Sequence, residues 1–201
     1  MGCMLAEVTI CDKPPLENQM KSSAIAIFSL LAIAGLSTAQ APPSGPPPSP
    51  DATTSVTIDG KTLSIKYSAP SVRKRQIFGP GGLISKDPNY PVWRAGANSA
   101  TSFHTDADLT IGTLSVPKGD YTIYALVEDP NNWQLIINKE TGQWGLTYDK
   151  AKDLGRTKMT MSKPPQPIEV YKMTLSQTGA KTGKLQMEWE NHNASVPITV
   201  K

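Results

Sequence analysis

Cysteine is nearly absent from this chain: among 201 residues there are two, Cys3 and Cys11, both within the first eleven positions. Everything downstream is free of thiols, which excludes a disulfide framework, a cysteine nucleophile and thiolate metal ligands there. Histidine is almost as scarce, with His104 and His192 only. A Ser–His–Asp arrangement would have to use one of them, and no G-x-S-x-G turn accompanies either. No single sign of charge dominates. Beyond residue 39 the chain carries 18 basic and 14 acidic residues, scattered except for Arg73-Lys74-Arg75. Such a balance favours solubility and leaves no footprint for nucleic acid. No cofactor-binding motif is present, so no cofactor is expected.

Long apolar runs are also missing, with one exception. From Met20 the chain reads MKSSAIAIFSLLAIAGLSTAQ, in which Lys21 precedes an apolar stretch from Ala24 to Leu36. Ser37-Thr38-Ala39 then offers small residues at a cleavage site, which is the layout of a secretory signal peptide. The run is shorter than the roughly 20 apolar residues of a transmembrane helix. The expectation is cleavage after Ala39, no transmembrane span in the mature chain, and a periplasmic or extracellular location. An uncleaved anchor or a buried helix is the alternative. The acidic leader in front of this unit (Glu7, Asp12, Glu17) suggests that translation starts at Met20.

What the mature chain does have is proline first and alternation afterwards. Residues 40–50, QAPPSGPPPSP, are expected to form an extended spacer. From Asp51 the hydrophobic period is two. Val56 and Ile58, then Asp59-Gly60, then Leu63, Ile65 and Tyr67 predict a two-residue hairpin pairing Ile58 with Lys61 and Val56 with Leu63. Further strands are predicted near 100–105, 108–111, 120–127, 133–138, 156–161, 168–175, 183–190 and 195–200. Tyr121–Val127 is apolar on both faces and should be central, whereas Pro197 predicts an edge for the last strand. A helical turn is expected near Asp149–Leu154. The fold class is therefore all-β, an antiparallel sandwich or jelly-roll-like single domain over 51–201. The stretch from Ser68 to Ser99 has no period and is interrupted by Pro70, Pro80, Pro88 and Pro91. It is either a functional loop or a crossover capping one end of the sandwich.

Several blocks carry a family resemblance. Tyr67–Gly79, YSAPSVRKRQIFG, and Val92–Thr101, VWRAGANSAT, resemble the opening segments of the bacterial DUF2911 family. Val116–Leu126, VPKGDYTIYAL, with Trp133, Asn138 and Gln143-Trp-Gly145, resembles its later segment, and Trp189-Glu190 and Val196-Pro-Ile198 its close. The resemblance implies an exported β domain of unknown function and brings no established catalytic residues. His104 departs from the family pattern, so a role for it would be particular to this chain.

Three constellations are candidates for chemistry. Trp93, Arg94, Asn98 and Thr101 gather a flat ring, a forked donor and hydrogen-bonding groups around Gly96, and Arg75 precedes them in the same aperiodic stretch. They could bind a carboxylate, phosphate or sugar edge, or Arg94 could be ion-paired at the rim under a core tryptophan. Core packing is the expectation for Trp133 and Trp144. His104, Asp106 and Asp108, at i, i+2 and i+4, would share one face of a strand and could ligate zinc or manganese, with Glu188, Glu190 and His192 repeating the spacing. Both triplets also suit solvated strand faces. The function expected is a non-catalytic binding or structural module of the cell envelope, with a small molecule, glycan or envelope protein as partner. The rivals are an enzyme with its site in the 68–101 stretch and a module that assembles through an edge strand.

Overall fold

The computed structural model describes residues 49–201. The expected signal-peptide segment, both cysteines and the expected spacer up to residue 48 lie outside the described residues. Those described form thirteen strands: β1 (Asp51–Ile58), β2 (Lys61–Ser68), β3 (Val92–Trp93), β4 (Ala97–Thr105), β5 (Leu109–Ile111), β6 (Leu114–Val116), β7 (Gly119–Leu126), β8 (Gln134–Asn138), β9 (Asp153–Lys158), β10 (Thr160–Ser162), β11 (Ile168–Gln177), β12 (Thr182–Glu190) and β13 (His192–Val200). One sheet runs β1-β2-β4-β7-β8-β9, with β3 also on β7. The other runs β11-β12-β13-β5-β6, with β10 also on β13. All strand pairs are antiparallel. The two sheets pack face to face, so the fold is the expected all-β sandwich. Among the described residues no helix is long and apolar enough to cross a membrane.

Local chemistry accounts for the register. Asp59 and Gly60 take φ of 51° and 70°, the left-handed geometry of a two-residue hairpin turn. Ile58 pairs with Lys61 and Val56 with Leu63, as predicted. In β12, Leu185, Met187 and Trp189 are buried while Lys184, Gln186, Glu188 and Glu190 are half-exposed. β7 is central and buried on both faces. Ile123 and Ala125 face the main core, and Tyr124 packs outward with Val92, Ile136 and Tyr148. The predicted helical turn is a short 3₁₀ segment at Lys150–Lys152.

β13 is not an edge. It pairs with β12 on one side, and with β10 and β5 on the other. Proline is tolerated because β10 pairs with residues 193–195 and β5 with residues 198–200. Pro197 falls in the gap between them, where no ladder hydrogen bond from its nitrogen is required.

The aperiodic stretch after β2 turns inward. Ile77, Phe78 and Ile84 are buried at one end of the sandwich. The Phe78 ring lies 5.7 Å from Trp93, 4.9 Å from Trp133 and 5.8 Å from Trp189. Trp93 and Trp189 stack at 5.6 Å. The segment is fastened to the second sheet by Val72 N donating to Glu169 O and Tyr171 N donating to Pro70 O, each at 2.8 Å. The capping crossover is thus what the structure shows, and its bends present a pocket to solvent.

Candidate functional site

β3 and β4 lie along the same side of β7: Trp93 pairs with Ala125 and Thr101 with Ile123. Residues 94–100 between those pairs leave the ladder, with Ala95 and Asn98 at φ of 50° and 57°. Gly96 sits where this excursion crosses β2. A Cβ there would stand 3.0 Å from Thr101 Oγ1 and 3.1 Å from Ser68 O. The close approach brings Arg94 to the mouth of a cavity of about 260 Å³.

Pro70, Leu83, Ile84, Trp93, Leu146 and Trp189 give this cavity mostly apolar walls. Arg94, Lys86 and Asp87 supply its charges. Asp87 Oδ1 already accepts from Asn89 N at 3.0 Å. Arg94 is half-buried, and its Nε is buried with no hydrogen-bond partner among the described residues. The ion pair expected for Arg94 is absent from the described residues. A buried charged donor left unsatisfied costs about 1–3 kcal/mol or more, and Arg94 is the guanidinium among the residues that line the cavity. Gly145 holds the side chain in place: a Cβ there would stand 2.5 Å from Arg94 Cδ and collide with Asn98 O.

Of the other expected ligand-binding residues, Trp93 lines this cavity and Arg75, Asn98 and Thr101 do not. The Thr101 side chain is fully buried and donates to Ala95 O at 2.9 Å, tying the excursion together. Asn98 is exposed, with its amide 3.5 Å from Ser49 O, and its carbonyl accepts from Gly145 N. Arg75 folds back on its own loop, donating to Val72 O at 3.0 Å and Ser71 O at 2.7 Å. Trp93 is 1% exposed and donates its indole N–H to Gly96 O at 3.2 Å. It therefore contributes wall rather than a polar contact. Leu83, Ile84, Lys86, Leu146 and Trp189 were missed. The apolar pair Leu83-Ile84 within a proline-punctuated stretch is the sequence signal that could have found them.

The metal-ligand spacing is not realised as expected. β4 ends at Thr105, whose hydroxyl turns the chain by bonding Ala107. Alternation therefore stops before Asp108, which instead accepts from Lys118 N at 2.8 Å. His104 lies between two carboxylates, with Nδ1 2.7 Å from Asp120 and Nε2 3.0 Å from Asp106. Hydrogen bonds to Asp120 and then Asp106 raise its pKa, and the reciprocal bond from His104 lowers that of Asp106. Both ring nitrogens of His104 are thus already engaged by carboxylates. The second triplet is split by the β12–β13 turn, where Glu190 has φ of 52°. His192 stacks on Trp133 at 5.3 Å, and burial lowers its pKa. Among the described residues no three His, Cys, Asp or Glu side chains are placed to hold a metal together.

Trp133 is buried as expected, but Trp144 is not: it is 53% exposed. Ser99 pairs with it across an isolated bridge, so its segment is tied to the start of β4 instead of entering the core.

No curated protein and no solved structure matches the chain. The sequence does match, over residues 49–198, a family described as a protein of unknown function, DUF2911. That span takes in the hairpin, the inward-turned crossover, the Arg94 excursion and nearly all of the last strand, and the chain belongs to the DUF2911 family.

Proposed function

We propose that this chain is an exported cell-envelope module that binds a small anionic ligand with an apolar body in the Arg94 cavity. One observation carries the reading: Arg94 lines an apolar cavity, and its buried Nε–H has no acceptor among the described residues. Guanidinium groups suit carboxylates and phosphates because their paired donors match two anionic oxygens. The cavity, at about 260 Å³, lies just below the ~300–1,000 Å³ of sites for drug-sized ligands, so the ligand is small. Binding is favoured over catalysis because the cavity lining includes no histidine, and its one carboxylate, Asp87, is engaged in a turn. Assembly through an edge strand has less support. The edges β1 and β11 are tied together by Leu175 N donating to Thr54 Oγ1 at 3.0 Å, which covers part of the backbone that a partner strand would need.

Export rests on the signal-peptide layout of Met20–Ala39. A mature N-terminus at Gln40, read by N-terminal sequencing of protein from the envelope or medium, would establish it. An intact leader on cytoplasmic protein would refute it.

The ligand is tested by thermal shift with benzoate, phenylacetate, hexanoate and inorganic phosphate, using neutral amides of the same acids as controls. Ligand at 100 times its Kd adds about 2.7 kcal/mol to stability. The expected result is a rise in Tm with at least one apolar acid, absent with its amide and absent in a folded Arg94→Ala variant. A rise that Arg94→Ala keeps, or none with any acid, would contradict the reading.

A further inference from the structure

The cavity at Arg94 also carries a charge of the opposite sign, and that charge narrows the class of ligand. A short 3₁₀ turn at Ile84–Lys86 brings Lys86 and, directly after it, Asp87 to the cavity lining. No ion pair engages Arg94, Lys86 or Asp87 among the described residues. Lys86 is exposed, where water and salt screen it, whereas Asp87 and Arg94 are both half-buried. A guanidinium and a carboxylate thus line one small, mostly apolar cavity without pairing with each other.

Both groups are braced by the protein itself. Asp87 Oδ1 accepts from Asn89 N at 3.0 Å, and Asp87 O accepts from Tyr90 N at 3.0 Å, so the carboxylate belongs to a closed turn. Pro88, inside that turn, also lines the cavity, and its ring restricts the backbone there. One N–H fills only one of the roughly four lone-pair sites of a carboxylate, which leaves Asp87 able to accept from a ligand. Asn89 Nδ2 donates to Leu146 O at 2.7 Å, which ties the turn to the residue after Gly145. A Cβ at Gly145 would stand 2.5 Å from Arg94 Cδ. The same short segment therefore abuts the guanidinium and anchors the turn of the carboxylate. Groups already immobilised lose less freedom when a ligand binds.

We infer that the ligand of this cavity is a free α-amino acid with an apolar side chain, bound as its zwitterion. Its carboxylate meets Arg94, its ammonium meets Asp87, and its side chain lies against Leu83, Ile84, Trp93 and Trp189. The inference rests on the anion reading of Arg94 and adds the role of Asp87. A plain acid would bring a second carboxylate beside Asp87, and like charges repel more strongly where water is partly excluded. An ammonium on the neighbouring carbon reverses that sign within the same small molecule. The C-terminal residue of a peptide would not, because its nitrogen is an uncharged amide.

The test uses the full chain in calorimetry with L-leucine, L-phenylalanine, 3-phenylpropionate, N-acetyl-L-phenylalanine and L-phenylalaninamide. At least one of the two amino acids should bind tenfold or more tighter than 3-phenylpropionate and N-acetyl-L-phenylalanine, and the amide should bind weakly. Asp87→Asn keeps an oxygen for Asn89 N and should bring the amino acid down to the level of 3-phenylpropionate. Arg94→Ala should abolish binding of both, with folding of each variant checked by urea melts. The comparison of ligands on the wild-type chain decides the matter even for a variant that fails to fold. If 3-phenylpropionate or the N-acetyl compound binds as tightly as the amino acids, or if Asp87→Asn keeps the discrimination, the inference is overturned while the anion reading stands. Binding of none of the carboxylates, amino acids included, overturns both.

Discussion

At the scale of single residues, neighbours of the same chemical type are given opposite tasks by their surroundings. His104 is exposed between Asp120 and Asp106, which raise its pKa, whereas burial lowers that of His192. The chain has only these two histidines, so a proton NMR titration resolves them directly. His104 should titrate above 6.5 and His192 below it. The signs for stability follow from proton linkage. The His104 contribution is complete below pH 6.5 and fades as pH rises through its folded pKa. The His192 contribution is present above 6.5 and fades as pH falls below that value, because the unfolded state then takes up the proton first. Asp106 adds a loss at acid pH, below about 3.8, since its pKa is lowered. Stability in urea melts should therefore fall as pH rises from 6.5 through the folded pKa of His104, and His104→Gln should abolish that decline while leaving the further loss above pH 10 that the raised tyrosine pKa values bring. An unchanged alkaline limb would show that the carboxylates do not hold the imidazolium. The tryptophans divide in the same manner. Trp93→Ala should cost about 3–5 kcal/mol, as loss of a buried aromatic does, while Trp144→Ala should stay within about 0.5 kcal/mol of wild type, as exposed changes do.

At the scale of elements, the hairpin and the central strand were legible from the sequence because the residues that set them act locally. Asp59-Gly60 fixes the turn, and the turn fixes the register of Val56 and Leu63. β13 was not legible as an interior strand, because Pro197 is compatible with one only through the gap between β10 and β5. That gap is a property of two other strands. The 68–99 stretch was hidden for a related reason. Phe78 and Ile84 reach the core through bends rather than a period, so no repeat marks them. The prediction at this scale is that Phe78→Ala destabilises the whole domain by about 3–5 kcal/mol in one cooperative urea transition. A separate low-denaturant transition would show that the crossover is an independent flap. Gly145 links this segment to the site. Gly145→Ala should displace Arg94 and weaken anion binding at least tenfold, and because its Cβ also meets the Asn98 carbonyl it should lower the stability of the domain as well, read by urea melts. Unaltered binding would show that the Gly145 contact does not position the guanidinium.

At the scale of the molecule, the inward crossover closes one end of the sandwich and leaves there a small apolar cavity with one unsatisfied guanidinium and one carboxylate. The sequence located this cavity only in part. Trp93 and Arg94 converge there, but Arg75, Asn98 and Thr101 bond to backbone instead, and hydroxyl or amide chemistry alone does not say which partner a side chain will take. Asp87 could not be read as part of it, because the bond from Asn89 to Leu146 that anchors its turn joins residues 57 positions apart, a pairing no local pattern encodes. The central claim is that Arg94 is an anion receptor and not a rim residue. It is tested most directly by an ¹⁵N NMR titration of the protein with phenylacetate, following the Arg94 Nε–H and the indole N–H signals of Trp93, Trp189 and Trp144. Saturable shifts at Arg94, Trp93 and Trp189, with Trp144 unmoved, are the predicted result. An Arg94 Nε–H signal that stays in place while acid is added to millimolar concentration would contradict it.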